Sequence, residues 1–262
     1  MAEMTKYEPG TPSWVDLGTP DLDGAIKFYG DLFGWQIDKG PEEAGGYSMA
    51  MLNGKAVAGL GPLMAEGQPP SWTTYVSVAD AEETTQRVKD NGGQVFVEPM
   101  KVEIGTDHFG TMAVFADPTG AAFSVWEPHQ HIGAQLVNEP GTLSWNELVT
   151  RDIDTAKKFY GEVLDWEGDT SEAGPTTYTE WKLGGRSIGG MLQMNDEWPA
   201  EIPAHWMAYF AVDDCDKATE KAKELGATVR VEPRDIPDVG RFAVLVDPYG
   251  AQFSVISVAR QT

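Results

Sequence analysis

The sequence predicts an α+β fold made of two tandem copies of one unit of about 130 residues, and three observations predict it. First, blocks recur in the same order. Trp14-Val15-Asp16-Leu17 returns as Trp145-Asn146-Glu147-Leu148, and Asp117-Pro118-Thr119-Gly120 returns as Asp247-Pro248-Tyr249-Gly250. Asp21 to Gly30, Trp72…Tyr75…Val78 and Val97-Glu98-Pro99 also have counterparts, at offsets of 130 to 134 residues. Second, each copy alternates short β-favouring runs with amphipathic helical runs. Third, two copies are too few for a solenoid or propeller, so paired modules facing each other across a pseudo-twofold axis are expected.

Within a copy the elements follow in turn. Trp14 to Leu17 alternates and reads as a strand. Thr19-Pro20 is expected to cap a helix whose apolar positions are Leu22, Ala25, Ile26, Tyr29, Leu32 and Phe33, with Gly34 as its stop. Tyr47 to Leu52 and Lys55 to Leu60 form a hairpin on Asn53-Gly54. Trp72 to Val78 is the next strand. Asp80 caps a second helix, ended at Gly92-Gly93. Residues 94–97, 111–115 and 122–126 are three more strands, the last two joined by the turn at Asp117-Pro118-Thr119-Gly120. Each module is thus strand, helix, hairpin, twice over. Module 1 spans residues 8–128 and module 2 residues 142–262, with 129–141 as linker.

The composition bounds the function. With 41% hydrophobic residues the chain buries a core and is not disordered. No apolar run approaches the ~18 residues of a membrane span, and the polar N-terminus lacks a signal-peptide core, which favours the cytoplasm. Nineteen basic and 41 acidic side chains leave a net charge of −22, which disfavours nucleic acid and anionic membranes as partners. A small-molecule ligand and a monomeric or homodimeric state are the partners expected. The one cysteine, Cys215, lies in Asp213-Asp214-Cys215-Asp216, where carboxylates suppress the thiolate, so it reads as a small helix-start residue. No Gly-x-Ser-x-Gly, P-loop or Gly-x-Gly-x-x-Gly motif is present.

The strand followed by Asp-x-x-x-Ala-x-x-Phe-Tyr and Gly-Trp, and the Asp-Pro-x-Gly-x-x-Phe-x-Val ending, resemble the vicinal oxygen chelate superfamily of glyoxalases, bleomycin-resistance proteins and dioxygenases. The resemblance covers nearly the whole chain in both copies and is strongest to two-module actinobacterial proteins labelled glyoxalase-like or hydroxylase. It implies modules built from paired βαβββ units, with each sheet curled into a half-open cup. It also implies divalent metal ligands on the first, last and an intermediate strand. Carried over by position, those ligands fall on Trp14 and Trp145, on Glu127 and Ser257, and near His205. An indole is no ligand, so the family's metal set is largely replaced. A divalent metal would need substitute donors among Asp16, Glu127, Glu147 and His205, with His205 and Glu127 as the ligand candidates; the cofactor stays open.

Strand alternation places Asp16 with Trp14 and Glu147 with Trp145 on one face. Glu127, Asp16 and Glu147 are the acid–base candidates, Glu127 first. Trp14, Trp72, Tyr75, Trp145, Trp206 and Tyr209 are candidate walls of a substrate site, with Tyr47 and Tyr178 on the hairpins. Polar residues present in one copy only are the better discriminators: Glu127 against Ser257, His205 against Ser71, Arg241 against Thr111, His108 against Asp238. Arg241 joins the substrate-binding candidates. Two functions compete. One is a glyoxalase-like enzyme, a lyase, isomerase or hydroxylase on a small carbonyl or aromatic metabolite. The other is a metal-free binding protein like the superfamily's antibiotic-sequestering members.

Overall fold

The computed structural model describes residues 2–41, 45–173 and 176–259. Module 1 contributes β2 (Pro12–Thr19), α1 (Leu22–Phe33), β3 (Gln36–Lys39), β4 (Ser48–Leu52) and β5 (Lys55–Pro62). It continues with β6 (Ser71–Ser77), α2 (Ala81–Asp90), β7 (Gln94–Ile104), β8 (Asp107–Ala116) and β9 (Ala122–Pro128). Module 2 repeats the series as β11 (Leu143–Thr150), α3 (Ile153–Leu164), β12 (Glu167–Ala173), β13 (Thr176–Leu183) and β14 (Arg186–Gln193). Then come β15 (His205–Ala211), α4 (Cys215–Glu224), β16 (Thr228–Ile236), β17 (Gly240–Val246) and β18 (Gln252–Val258). Two-residue strands β1 (Ala2–Glu3) and β10 (Leu136–Val137) pair with each other, so the linker carries a short strand.

Each module is one eight-stranded sheet, in the order β3-β4-β5-β2-β6-β9-β8-β7 for the first and β12-β13-β14-β11-β15-β18-β17-β16 for the second. The first strand of each half lies parallel to the last strand of that half, β2 with β5 and β6 with β9, and the halves join through antiparallel β2 and β6. A parallel neighbour requires a crossover, which the helix supplies. The start of α1 differs from the sequence expectation. Thr19 ends β2, and Asp21 is the cap, its carboxylate accepting from Gly24 N at 3.0 Å. Pro20 bends the chain between strand and cap, so the cap falls two residues later. Asp80 caps α2 as expected, accepting from Glu83 N at 2.9 Å. The strands β7 and β8 run well past the 94–97 and 111–115 expected, because bulges let β7 continue through Pro99.

The helix-side cores cross between modules. Val15, Leu17, Phe28, Tyr29 and Leu60 of module 1 pack with Phe210, Ala222, Leu245 and Phe253 of module 2. The reciprocal core joins Val76, Val88, Phe115 and Phe123 to Leu148, Phe159, Tyr160 and Trp181. The seam also carries matched bonds: Trp35 Nε1 donates to Gly141 O at 2.7 Å and Trp166 Nε1 to Gly10 O at 2.6 Å. The opposite face of each sheet encloses a smaller cluster, and these two inner faces are the cups. Among the described residues no helix is long and apolar enough to cross a membrane.

Candidate functional site

Alternation along β2 turns Val15 and Leu17 to the helices and Trp14 and Asp16 into the first cup. The register then fixes the neighbours. Trp14 lies across from Tyr75, Tyr75 beside Ser124, and Asp16 between Gly59 and Thr73. In the second cup Trp145 faces Tyr209, Tyr209 lies beside Ser254, and Glu147 sits between Gly190 and Met207.

Each cup holds one carboxyl under two phenols, Asp16 half-buried in the first and Glu147 buried in the second. Tyr75 Oη donates to Asp16 Oδ2 at 2.8 Å and Tyr47 Oη to the same oxygen at 3.3 Å, while Trp14 Nε1 donates to Tyr47 Oη at 3.0 Å. In module 2 Tyr209 Oη donates to Glu147 Oε1 at 2.8 Å and Trp145 Nε1 to Tyr178 Oη at 3.0 Å. Room for the second phenol comes from glycine: a methyl at Gly59 or Gly190 would overlap the Tyr47 or Tyr178 hydroxyl. Burial pushes Asp16 up to about 6, against the opposing effect of the tyrosine hydrogen bonds. Burial likewise raises Glu147, which Tyr209, Tyr178 and Arg234 partly offset. The four tyrosines are raised, first by burial and then by the neighbouring carboxylate.

The cups differ in their cover. In cup 1 the linker turns inward: the His131 ring lies 4.7 Å from Trp14 and 5.7 Å from Trp126, edge to face, and Trp126 Nε1 donates to His131 O at 2.6 Å. Ala134 is fully buried there, and Tyr7 Oη donates to its carbonyl at 2.7 Å. His131 Nε2 is buried without a hydrogen-bond partner, and burial lowers the imidazole to about 4. Cup 2 is walled by Met207, Tyr209, Phe242 and Ile256, with Trp145 only half-buried. The guanidinium of Arg234 lies 5.0 Å above the Phe242 ring.

Several sequence candidates lie elsewhere. Glu127 belongs to the other face of β9: its Oε2 accepts from Ala81 N at 3.0 Å at the start of α2, while its neighbour Trp126 enters the cup. Trp72 and Trp206 stand three residues from Tyr75 and Tyr209, an odd spacing on a strand, and so face the helices. There they donate to Tyr29 Oη at 3.0 Å and Tyr160 Oη at 2.9 Å. Arg241 forms ion pairs with Asp216 at 2.7 Å and Asp235 at 3.0 Å, outside the cup. Ser257 Oγ donates to Arg241 O at 3.4 Å. His108 stacks on His129, with rings 4.7 Å apart. His205 opens β15, its Nδ1 2.9 Å from Pro203 O and its Nε2 buried without a partner. Glu127 and His205 therefore share no site. Sequence reasoning missed Arg234 and His131, both visible only once the bulged β16 and the linker are placed. Two surface hollows, at Arg151 and Trp198 and at Pro9 and Arg186, lie away from both carboxyls.

The residues present do not fit the divalent ion that the resemblance implies. One carboxyl stands in each cup among indole, phenol, thioether and hydroxyl groups, and a catalytic zinc needs three protein ligands. Among the described residues no three His, Cys, Asp or Glu side chains converge.

Comparison with known proteins agrees with this architecture. Residues 11–125 match the Glyoxalase/Bleomycin resistance protein/Dioxygenase superfamily and residues 146–256 a Glyoxalase-like domain. The chain is 46% identical, over 100% of both chains, to "Putative glyoxylase CFP32" of Mycobacterium tuberculosis. It is 40% identical to "Anthracycline biosynthesis protein DnrV" of Streptomyces peucetius, over 97% of this chain and 96% of that one. In structure it resembles the Mn(II)-bound glyoxalase from Novosphingobium aromaticivorans, with a TM-score of 0.66 at 17% identity over 95% and 82% of the two chains. It also resembles the 2,3-dioxygenase LapB from Pseudomonas, with a TM-score of 0.64 at 14% identity over 96% and 93%. The repeat, the paired cups and these matches together make the chain a two-module member of the glyoxalase/bleomycin resistance protein/dioxygenase superfamily.

Proposed function

We propose that the protein is a small-molecule metabolic enzyme of glyoxalase-like type that moves a proton on a carbonyl or aromatic metabolite with cup carboxyls, not with a metal set of the family's usual kind. The observation that carries this reading is the carboxyl under paired phenols in each cup, raised above the ordinary carboxylate range by burial at Asp16 and at Glu147 alike. A base near the operating pH removes a proton from a carbon acid and returns it, a contribution of ~10²–10⁴ in rate. Glu147 takes the proton in cup 2, whose Trp145 wall is only half-buried. Tyr209, already donating to Oε1, steadies the carboxylate as its charge changes. The aromatic and thioether walls exclude water and suit a flat substrate. Of the lyase, isomerase and hydroxylase reactions that the family resemblance suggests, proton transfer is the one these side chains perform unaided. The relatives named for glyoxylase and anthracycline biosynthesis support a small carbonyl or polycyclic metabolite as substrate.

The test is NMR-detected exchange of α-protons for deuterium in 2-oxo aldehydes and aryl ketones, with chelator-treated protein. Exchange that survives chelation and falls at least a hundredfold in Glu147→Gln supports the reading. Exchange that needs added metal, or that is unchanged in both Glu147→Gln and Asp16→Asn, overturns it. The second reading, a binding protein, is favoured by the filled first cup, and saturable tryptophan quenching without any exchange would select it.

A further inference from the structure

The two cups come from one repeat, yet they are furnished differently. In cup 1 Trp14 is already met, edge to face, by a ring supplied by the chain, the His131 imidazole at 4.7 Å. Trp14 is consequently 4% exposed. Its counterpart Trp145 is half-buried, packed against the Tyr209 and Phe242 cluster of its own module, and among the described residues no linker ring lies on it. A second difference lies on the cup wall. Arg234 pairs across strands with Phe242, so both project to the same face, and its guanidinium lies over that ring. The position matching Arg234 in module 1 is Met100. Arg234 is exposed and forms no ion pair among the described residues, in a protein of net charge −22 where acidic partners are plentiful. Neighbouring Asp235 is engaged by Arg241 instead.

We infer that cup 2 alone takes a free ligand, that this ligand is a flat aromatic acid lying against Trp145 with its anionic oxygens at Arg234, and that His131 fills the corresponding place in cup 1. This rests on the proposed small-molecule function and adds to it the working cup and the charge of the substrate. A guanidinium always carries its charge and presents a planar fork that matches carboxylate oxygens. It offsets locally the repulsion that the protein's charge imposes on an anion at longer range. Glu147, on the same cup face, is left to address the uncharged oxygen or the carbon acid of the ligand. The His131 ring, edge to face with Trp14, shows that the place matching the Trp145 site holds an aromatic ring.

Isothermal titration of the full chain with 1-naphthoate and its neutral analogue 1-naphthamide tests this without turnover, so its failure is separate from failure of the exchange assay. The expected result is one naphthoate per chain, bound more tightly than naphthamide. Arg234→Met, which installs the module 1 residue at an exposed position, weakens naphthoate about tenfold, or about 1.4 kcal/mol, and leaves naphthamide unchanged. Trp145→Ala weakens both ligands, and His131→Phe alters neither. Two equivalent sites per chain, no naphthoate binding, unchanged naphthoate affinity in Arg234→Met, or loss of binding in His131→Phe would each overturn the inference.

Discussion

Tyr29 reaches across the module seam to Asp247, its Oη donating to Oδ2 at 2.9 Å, and Tyr160 makes the mirror-image bond to Asp117 Oδ2, also at 2.9 Å. Each aspartate uses its other oxygen to hold its own turn: Asp247 Oδ1 accepts from Tyr249 N and Ala251 N, both at 2.9 Å. One carboxylate therefore shapes a turn of its own module and anchors a helix of the other. Tyr29→Phe leaves Asp247 Oδ2 and the indole of Trp72 without partners in a buried place. A loss of about 1–3 kcal/mol is expected in urea unfolding. Tyr160→Phe is expected to match it, and the double variant to approach the sum. A loss below about 0.5 kcal/mol would mean that the seam depends on apolar packing alone.

Two groups in cup 1 titrate in opposite senses. Asp16 is raised to about 6 in the folded chain, so folding takes up a proton there, and its contribution is full in acid and fades as pH rises through 6. His131 is lowered to about 4, so folding releases a proton, and stability is lost as pH falls from 6.5 toward 4. The two partly cancel between pH 4 and 6. Asp16→Asn is expected to steepen the loss of stability on acidification. His131→Phe is expected to leave a chain that gains stability over the same window. Denaturation midpoints at half-unit pH steps read both slopes, and parallel curves for the two variants would refute the assignment.

Gly190 lies beside Glu147 with no room for a side chain against Tyr178. Gly190→Ala is expected to displace that phenol at a cost of about 1–3 kcal/mol and to reduce any Glu147-dependent exchange. Gly59→Ala in the covered cup is expected to cost similar stability with little effect on exchange. Equal losses of exchange in the two variants would show that both cups work.

Cys215 is 1% exposed, and burial pushes its thiol up to about 11, with Asp216 and Asp214 adding to the rise. A thiol reagent is expected to modify it only as fast as the chain opens, and fully in urea. Rapid labelling at neutral pH under native conditions would contradict the placement.

The repeat, the helices and the acid pair were legible because each depends on local order. Periodicity marks α1 and α3, and alternation from Trp14 and Trp145 leads directly to Asp16 and Glu147. Trp72, Trp206 and Glu127 were misplaced where residue type outweighed parity: Trp72 and Tyr75 cannot share a face, nor can Trp126 and Glu127. Arg234 follows bulges in β16 that shift the pairing, so counting from Val231 does not locate it. The inward turn of His131 has no periodic mark, since a linker carries none. The exchange of cores between modules depends on contacts as distant as Tyr29 and Asp247, 218 residues apart.

That separation sets a schedule for the nascent chain. Tyr29 leaves the ribosome 218 residues before Asp247, an interval of about 10–45 s at ~5–20 residues per second. For most of it the apolar face of α1 awaits Phe210, and for all of it Phe253. The helix-side core of module 1 is therefore completed only when the last strands of module 2 emerge.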